Sequence, residues 1–195
     1  MSMRMILASA SPRRRDLLRQ AGIEPEIVPS HVQENVTVPE PDEVVRQLSL
    51  RKARDVAAGF AGENTDDVVI LGADTVVSID GRILGKPADE AEAIAMIGLL
   101  QGCAHQVYTG VTLIFPGTGE EVNFAERTDV HVCAMTASQI AAYVAAGESL
   151  DKAGAYGIQG RFAAYVSGIT GDYNNVVGLP LCRVCQELVA RNLYE

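Results

Sequence analysis

The arginine-rich stretch after the first apolar segment is the part of the sequence most suited to chemistry. Ser11 and Pro12 mark the start of a helix, with the Ser11 hydroxyl capping free amides, and three arginines at 13–15 occupy the first turn. Cations there oppose the positive end of the helix dipole. A bound anion would remove this conflict, so the stretch, together with Ser9, predicts a phosphate-binding site. The alternative is that the arginines point to solvent or pair with acidic residues elsewhere.

A carboxylate interrupts the most apolar strand signal of the chain. Residues 68–77 read Val-Val-Ile-Leu-Gly-Ala-Asp-Thr-Val-Val, which predicts a buried strand with Asp74 near its end. An aspartate at such a place is often a turn residue. It can also hold a metal ion or accept a proton from water, and Thr75 beside it can hydrogen-bond a substrate. Lys52 and Lys86 are further candidate cations, although a lone lysine is usually exposed to solvent.

Alternating strand and helix signals surround these residues and predict a mixed sheet flanked by helices. A turn is expected at 62–67, and a Pro-Gly-Thr-Gly turn joins two strands that should pair antiparallel. The predicted strands cover residues 5–7, 23–28, 68–77, 83–84, 107–115, 122–135 and 163–169. The predicted helices cover residues 12–21, 42–60, 89–100, 136–144 and 179–192.

Three details of these elements are specific enough to test. Asp42 is predicted to cap its helix, and residues 171–178 are predicted to form a polar turn. For the helix at 89–100, spacing of the apolar residues predicts a core-facing side. That side consists of Ala91, Ile94, Ala95, Ile97 and Leu99.

Composition limits the classes of protein that this chain can belong to. With 195 residues, 48% of them hydrophobic, it can form one large domain or two small lobes sharing a core. Its net charge of -9 disfavours nucleic acid or an anionic membrane as the main partner. No apolar run approaches the roughly 20 residues of a membrane-spanning helix. Four scattered cysteines and the absence of a signal-peptide pattern predict a soluble cytoplasmic protein.

Six stretches together resemble, in order and spacing, the Maf family of nucleoside-triphosphate pyrophosphatases. They are Ser-Ala-Ser-Pro-Arg-Arg at 9–14, Gly-Ala-Asp-Thr at 72–75, Gly-Lys-Pro at 85–87, Thr-Gly-Val at 109–111, Asp-Lys-Ala-Gly-Ala-Tyr-Gly-Ile-Gln-Gly at 151–160, and Gly-Asp-Tyr-Asn-Asn-Val-Val-Gly-Leu-Pro-Leu at 171–181. The resemblance covers nearly the whole chain and implies a single domain over residues 1–195. It implies a two-lobed Maf/ITPase-like α/β fold with a long mixed sheet flanked by helices and a central cleft. A homodimer is also a family expectation.

The same resemblance implies an activity and a set of site residues. The loop at 151–160 is similar to the dTTP/UTP branch of the family, so the expected reaction converts dTTP and UTP to the monophosphate and pyrophosphate with a divalent cation, Mg or Mn. By resemblance Asp74 is the proton acceptor, and Arg13, Thr75 and Gln159 set substrate choice. The candidate catalytic residues are Asp74, Lys86 and Arg14. The candidate phosphate ligands are Ser9, Ser11, Arg13, Arg14, Lys52 and Lys86.

Residue chemistry agrees with these implied roles. A triphosphate tail needs cations, and cleavage next to it needs an oriented water and support for the departing pyrophosphate. The Gln159 side chain offers a donor and an acceptor that could meet the O4 and N3–H edge of thymine or uracil. The flanking Gly157 and Gly160 would let the backbone approach the base closely.

Two positions depart from the pattern of the family. Glu34 lies where an acidic loop is expected and is a second candidate metal ligand beside Asp74, but Gln33 stands next to it in place of an acid. Ser149 replaces a proline that often precedes the loop at 151–160, which should change loop stiffness more than chemistry.

Other functions remain open at the level of sequence. Cys182 and Cys185 form a C-x-x-C motif that could act as a redox pair or half of a metal site, or could consist of idle thiols. The chain could also be a nucleotide-binding regulatory protein with little turnover. Asp74 favours an enzyme, because a pure phosphate binder gains nothing from a carboxylate unless a metal bridges it to the anion. A third alternative is a pyrophosphatase for another modified or methylated nucleotide.

Overall fold

A computed structural model describes residues 3–60 and 65–194. The predicted turn at 62–67 therefore falls partly outside the described residues. Within them, Val68 donates its backbone N–H to Thr65 O at 3.0 Å, so a turn leads directly into the strand at residue 68.

The strands form one mixed sheet in the order β2-β1-β3-β5-β6-β7, with β4 paired to β3. β1 pairs parallel with β2 and β3, while β3 with β4 and β6 with β7 are antiparallel. This confirms the predicted mixed α/β fold. The strands are β1 Arg4–Leu7, β2 Glu26–Ile27, β3 Val68–Ile79, β4 Arg82–Leu84, β5 Ala104–Phe115, β6 Glu120–Val132 and β7 Val166–Thr170.

Helices follow single strands or pairs of consecutive strands along the chain. They are α1 Pro12–Gln20, α2 Pro41–Ala57, α3 Glu90–Leu100, α4 Ala137–Ala145, α5 Tyr173–Val177 and α6 Leu181–Val189. Short 3-10 turns cover Ala58–Phe60, Ala153–Ala155 and Arg161–Tyr165. Among the residues described, no helix is long and apolar enough to cross a membrane.

The chain divides into two compact units, each assembled from separate segments. Unit 1 contains Met1–Asp74, Thr109–Glu126 and Gly178–Glu195, and unit 2 contains Thr75–Tyr108 and Arg127–Val177.

Packing in unit 1 brings α2 unusually close to β3. A Cβ atom at Gly72 would overlap the carbonyl oxygen of Ser49 and lie 2.8 Å from the nitrogen of Ala53. Such distances would force the helix away from the strand, so only glycine permits this approach. Because Lys52 lies on this part of α2 and Asp74 lies two residues after Gly72, the contact also sets the distance between those two side chains. The core beneath consists of Ile6, Ala8, Ala53, Val56, Val68, Ile70 and Ile114.

Unit 2 contains an aromatic core beneath the loop at 151–160. Phe162 is fully buried and lies 4.6 Å from Tyr156 and 5.1 Å from Tyr143, measured between ring centroids. Tyr156 also makes an edge contact with His105, and its hydroxyl lies 2.7 Å from His105 Nε2. Burial raises the pKa of Tyr156 and lowers the pKa of His105 to about 4, so both side chains are neutral at pH 7.

Several predictions about individual helices, strands and turns were wrong. Asp42 does not cap α2, because Pro41 already occupies its first turn and Glu40 is the N-cap residue. A short helix, α5, occupies part of the predicted polar turn at 171–178, and a 3-10 turn replaces the start of the predicted strand at 163–169. β2 is also shorter than the predicted strand at 23–28.

The predicted core face of α3 was right for Ile97 and wrong for Ala91, Ile94, Ala95 and Leu99. Ile94 and Leu99 are exposed by 42% and 45%, whereas Ala93, Met96, Ile97 and Leu100 are buried. After its first turn this helix has only apolar residues and glycine, so hydrophobic spacing does not distinguish one side from the other.

Candidate active site

The predicted phosphate site surrounds Arg14 at the start of α1. Arg14 donates from Nε to Gly178 O at 2.8 Å and from its terminal nitrogen to Ser9 Oγ at 3.0 Å. Burial lowers the pKa of Arg14, and the negative charge of Asp74 opposes that shift. A partly buried guanidinium held in this way is well placed to gain from a bound anion.

The predicted capping of α1 by the Ser11 side chain was wrong. Ser11 is the N-cap residue of α1, yet its side chain makes no capping hydrogen bond. Instead, Ser9 Oγ accepts from the backbone N–H of Ser11 at 3.2 Å as well as from Arg14. Ser9 therefore orders the turn, and the free amides of the first helical turn are not capped by Ser11. Arg15 pairs with an acidic residue, as the alternative to phosphate binding predicted, because it forms an exposed ion pair with Asp16.

Lys52 joins two carboxylates that are distant in sequence. Its Nζ lies 2.6 Å from Oδ1 of Asp74 and 2.7 Å from Oε1 of Glu34. The side chains of Lys52 and Asp74 are each only 12% exposed, whereas Glu34 is 63% exposed. The structure thus brings together Asp74, Glu34 and Lys52, all of which belong to unit 1.

The donors of this cluster fit the hard divalent cation implied by the family resemblance. Asp74 and Glu34 each place a carboxylate oxygen against the Lys52 ammonium. Magnesium is commonly held by one or two carboxylates of this kind, together with substrate phosphates and water. Among the described residues, no group of three or more histidine, cysteine, aspartate or glutamate side chains could hold a metal. A metal at Asp74 and Glu34 would therefore need phosphate or water ligands as well.

Of the remaining predicted site residues, Arg13 lies beside Arg14 in α1 of unit 1, whereas Thr75, Lys86 and Gln159 belong to unit 2. Thr75 follows Asp74 on β3 and is half-buried, and Lys86 is exposed two residues after the end of β4. Gly154 in the loop at 151–160 donates its N–H to Gly85 O at 3.0 Å, which fixes that loop to the residue before Lys86.

Gln159 is exposed at a tight turn within this loop. Gly160 donates its N–H to Gly157 O at 3.1 Å, so Gln159 is the third residue of a four-residue turn. Ile158 before it is 8% exposed and anchors the turn to the interior. The Gln159 side chain, which is predicted to recognise the base, is therefore exposed to solvent on a hydrogen-bonded turn.

The two flanking glycines do not serve the purpose predicted for them. A Cβ atom at Gly157 would lie 2.8 Å from Cε of Lys152, and one at Gly160 would overlap the carboxylate of Glu148. The space over these glycines is thus occupied by the chain's own side chains. Glu148 was missed at the level of sequence, because it lies outside the recognised motif and gives no chemical signal of its own.

These features define an α/β protein with an arginine held by Ser9 and Gly178 at a helix start and a lysine-bridged pair of carboxylates. A family model described as Maf-like protein matches residues 4–191, and the chain belongs to that family.

Similar proteins extend over almost the full chain. A protein of Agathobacter rectalis named dTTP/UTP pyrophosphatase is 48% identical over 195 residues, covering 94% of this chain and 95% of its own. A protein of Bacillus thuringiensis subsp. konkukian with the same name is 48% identical over 191 residues, covering 97% and 96%. A solved structure of a HAM1 protein from Coxiella burnetii aligns with a TM-score of 0.41 and 15% identity, covering 67% of this chain and 73% of that one.

Proposed function

We propose that this protein hydrolyses dTTP and UTP to the nucleoside monophosphate and pyrophosphate, and so clears surplus or non-standard nucleotides. The observation that carries the proposal is the contact of Lys52 with Asp74 and Glu34, because it joins a buried carboxylate and a cation to a second, exposed carboxylate. The names of relatives that are 48% identical over nearly the whole chain support this choice of substrates.

The reaction requires charge neutralisation and an oriented water molecule. Arg13, Arg14, Lys52 and Lys86 would neutralise the triphosphate, and Arg14 and Lys86 would stabilise the departing pyrophosphate. Water attacks the α-phosphorus while the bond from that phosphorus to the bridging oxygen breaks. Asp74 takes the proton of the attacking water, and its contact with Lys52 fixes the position of the accepting carboxylate.

We propose that Asp74 and Glu34 hold a magnesium or manganese ion in the working enzyme. Such an ion would supply additional positive charge to the phosphates. Lys52 contacts both carboxylates, so it would have to share them with the ion or move from them. The lysine offsets part of their negative charge when no divalent cation is present.

A nucleotide panel tests the proposed function most directly. Pyrophosphate release is measured with dTTP, UTP, ATP, GTP and a methylated nucleotide, each with and without Mg²⁺ or Mn²⁺. We expect dTTP and UTP to give the highest kcat/KM and to require the metal. Tight binding of dTTP without pyrophosphate release would favour the regulatory binding protein, and a strong preference for the methylated nucleotide would favour the third alternative.

We also propose a homodimer, a cytoplasmic location and no nucleic-acid partner. The exposed side of α3 carries Ile94 and Leu99 and has no charged residue after Glu92. In a chain with a net charge of -9, two copies approach most easily through an uncharged surface, because like charges oppose contact elsewhere. The same net charge disfavours binding to a nucleic acid.

A further inference from the structure

We infer that Glu148 is a positioning residue that holds Gln159 in place for base selection, an inference that rests on the proposed function. Glu148 lies between α4 and the loop at 151–160, and it contacts the chain on the C-terminal side of Gln159 through its carboxylate. On the N-terminal side of Gln159, the backbone oxygen of Glu148 accepts a hydrogen bond from Lys152, and that lysine contacts the chain there.

The carboxylate of Glu148 fixes the chain directly after Gln159. Its Oε2 accepts the backbone N–H of Arg161 at 2.9 Å, and its Oε1 lies 3.7 Å from Nε of the same arginine. A Cβ atom at Gly160 would overlap this carboxylate, so Glu148 fills the space that the glycine leaves open. The two residues that follow Gln159 are thereby placed against one side chain.

Lys152 holds the chain before Gln159. Its Nζ donates to Glu148 O at 2.9 Å and to Oδ1 of Asp151 at 2.7 Å, which bends the side chain back over the loop. The aliphatic part of Lys152 then covers Gly157, where an added Cβ would lie 2.8 Å from Cε. Glu148 and Lys152 therefore cover both ends of the four-residue turn that contains Gln159.

This arrangement leaves Gln159 exposed while its neighbours are fixed. A side-chain amide can select a base by hydrogen bonding only if its backbone is held in place. An amide that misses the base edge no longer distinguishes one base from another. Glu148 does not need to touch the nucleotide for this role. Its effect on base preference should depend entirely on the Gln159 side chain.

The test compares kcat/KM for dTTP, UTP, ATP and GTP in the wild type, Glu148→Ala, Glu148→Gln, Gln159→Ala and the double variant Glu148→Ala/Gln159→Ala. We expect Glu148→Ala to lower the preference for dTTP and UTP over ATP and GTP by about three- to tenfold, the effect of one lost hydrogen bond. Glu148→Gln should retain most of the preference, because its amide oxygen can still accept the Arg161 N–H. In the Gln159→Ala background, Glu148→Ala should not reduce the preference further.

Glu126→Ala provides a matched control. Glu126 has the same 31% side-chain exposure as Glu148 and also pairs with an arginine, Arg183, but it belongs to unit 1. This variant should keep the wild-type preference. Equal losses for all four nucleotides in Glu148→Ala, or an undiminished effect when Gln159 is absent, would overturn the inference.

Hydrogen exchange separates this inference from the proposed function. Without nucleotide, the Arg161 amide should exchange faster in Glu148→Ala than in the wild type, since its acceptor is gone. Unchanged exchange overturns the positioning role, whatever the protein hydrolyses. Absence of pyrophosphate release from wild-type protein would instead contradict the proposed function, and faster Arg161 exchange would still support the anchoring by Glu148.

Discussion

Nζ of Lys52 lies 2.6 Å from Oδ1 of Asp74, and both side chains are almost withdrawn from solvent. The pair joins α2 to β3 and depends on Gly72, where any larger residue would push the helix away. Removing one partner from a buried ion pair leaves a charge without compensation, which typically costs about 3–5 kcal/mol. Here Glu34 also contacts Lys52, so a neutral substitution of Asp74 should leave the lysine with an ionic partner.

Asp74→Asn should abolish turnover while the protein still folds and still binds nucleotide. The amide oxygen can accept from Lys52, but the side chain can no longer take a proton from water, so we expect a loss in kcat of at least ~10²-fold. Pyrophosphate release, a thermal melt and equilibrium binding of dTTP measure the three properties. Near-normal kcat would remove Asp74 from the mechanism.

Arg14→Ala and Lys86→Ala should each lower turnover of all nucleotides, because the triphosphate is common to them. A charge-assisted hydrogen bond is worth about 1.5–3 kcal/mol, so kcat/KM should fall about ten- to a hundredfold, with the ranking of bases unchanged. Arg15→Ala is the control, since the Arg15 side chain forms a surface ion pair with Asp16. A change mainly in base ranking would place the substituted residue away from the phosphates.

Lys52→Met should make the protein more responsive to divalent cations in the absence of nucleotide. Losing the ammonium leaves the buried Asp74 without its partner and close to the like charge of Glu34, which should destabilise the fold by about 3–5 kcal/mol. A bound Mn²⁺ would relieve that repulsion, so it should raise the melting temperature of Lys52→Met more than that of the wild type.

Arg54→Met provides the comparison for this experiment. Arg54 is also on α2, but its partner is Glu121 in an exposed ion pair. Its response to Mn²⁺ should match that of the wild type. If Mn²⁺ stabilises none of the three proteins, the carboxylates do not hold a metal without nucleotide, and the proposed metal role of Glu34 loses its support.

Gln159→Ala should reduce the preference for dTTP and UTP more than it reduces turnover of ATP and GTP. A site that hydrogen-bonds a base edge rejects bases that leave polar groups unpaired, and removing the amide removes that discrimination. Specificity constants for the four nucleotides in both proteins measure the effect. A uniform loss with an unchanged ranking would mean that Gln159 supports the loop and does not read the base.

Ile94→Glu should weaken self-association without unfolding the protein. Ile94 is already 42% exposed, so a charged residue there needs no burial, but two copies meeting through α3 would bring new negative charges together. Sedimentation velocity over a range of concentrations compares this variant with the wild type. Glu90→Gln, at the start of the same helix, is the control. A dimer unaffected by Ile94→Glu would use another surface.

Local sequence was sufficient to predict the elements that carry the chemistry. The apolar run of β3 is continuous, which predicts a strand buried on both faces. The Ser-Pro start of α1 places Arg14 within a few residues of Ser9 whatever the rest of the chain does. The same short-range rules failed for α3, because a helix with apolar residues on all sides has no preferred face until its neighbours are known.

Tertiary structure decided which distant residues meet. Nothing in the spacing of Glu34, Lys52 and Asp74 shows that one ammonium contacts both carboxylates, and the space over Gly160 could have accommodated a base as readily as the carboxylate of Glu148. Periodicity reports which side of an element is buried, since that depends on residues within a few positions of one another. Contacts across many residues depend instead on how closely whole elements approach, which at Gly72 is set by the missing Cβ atom.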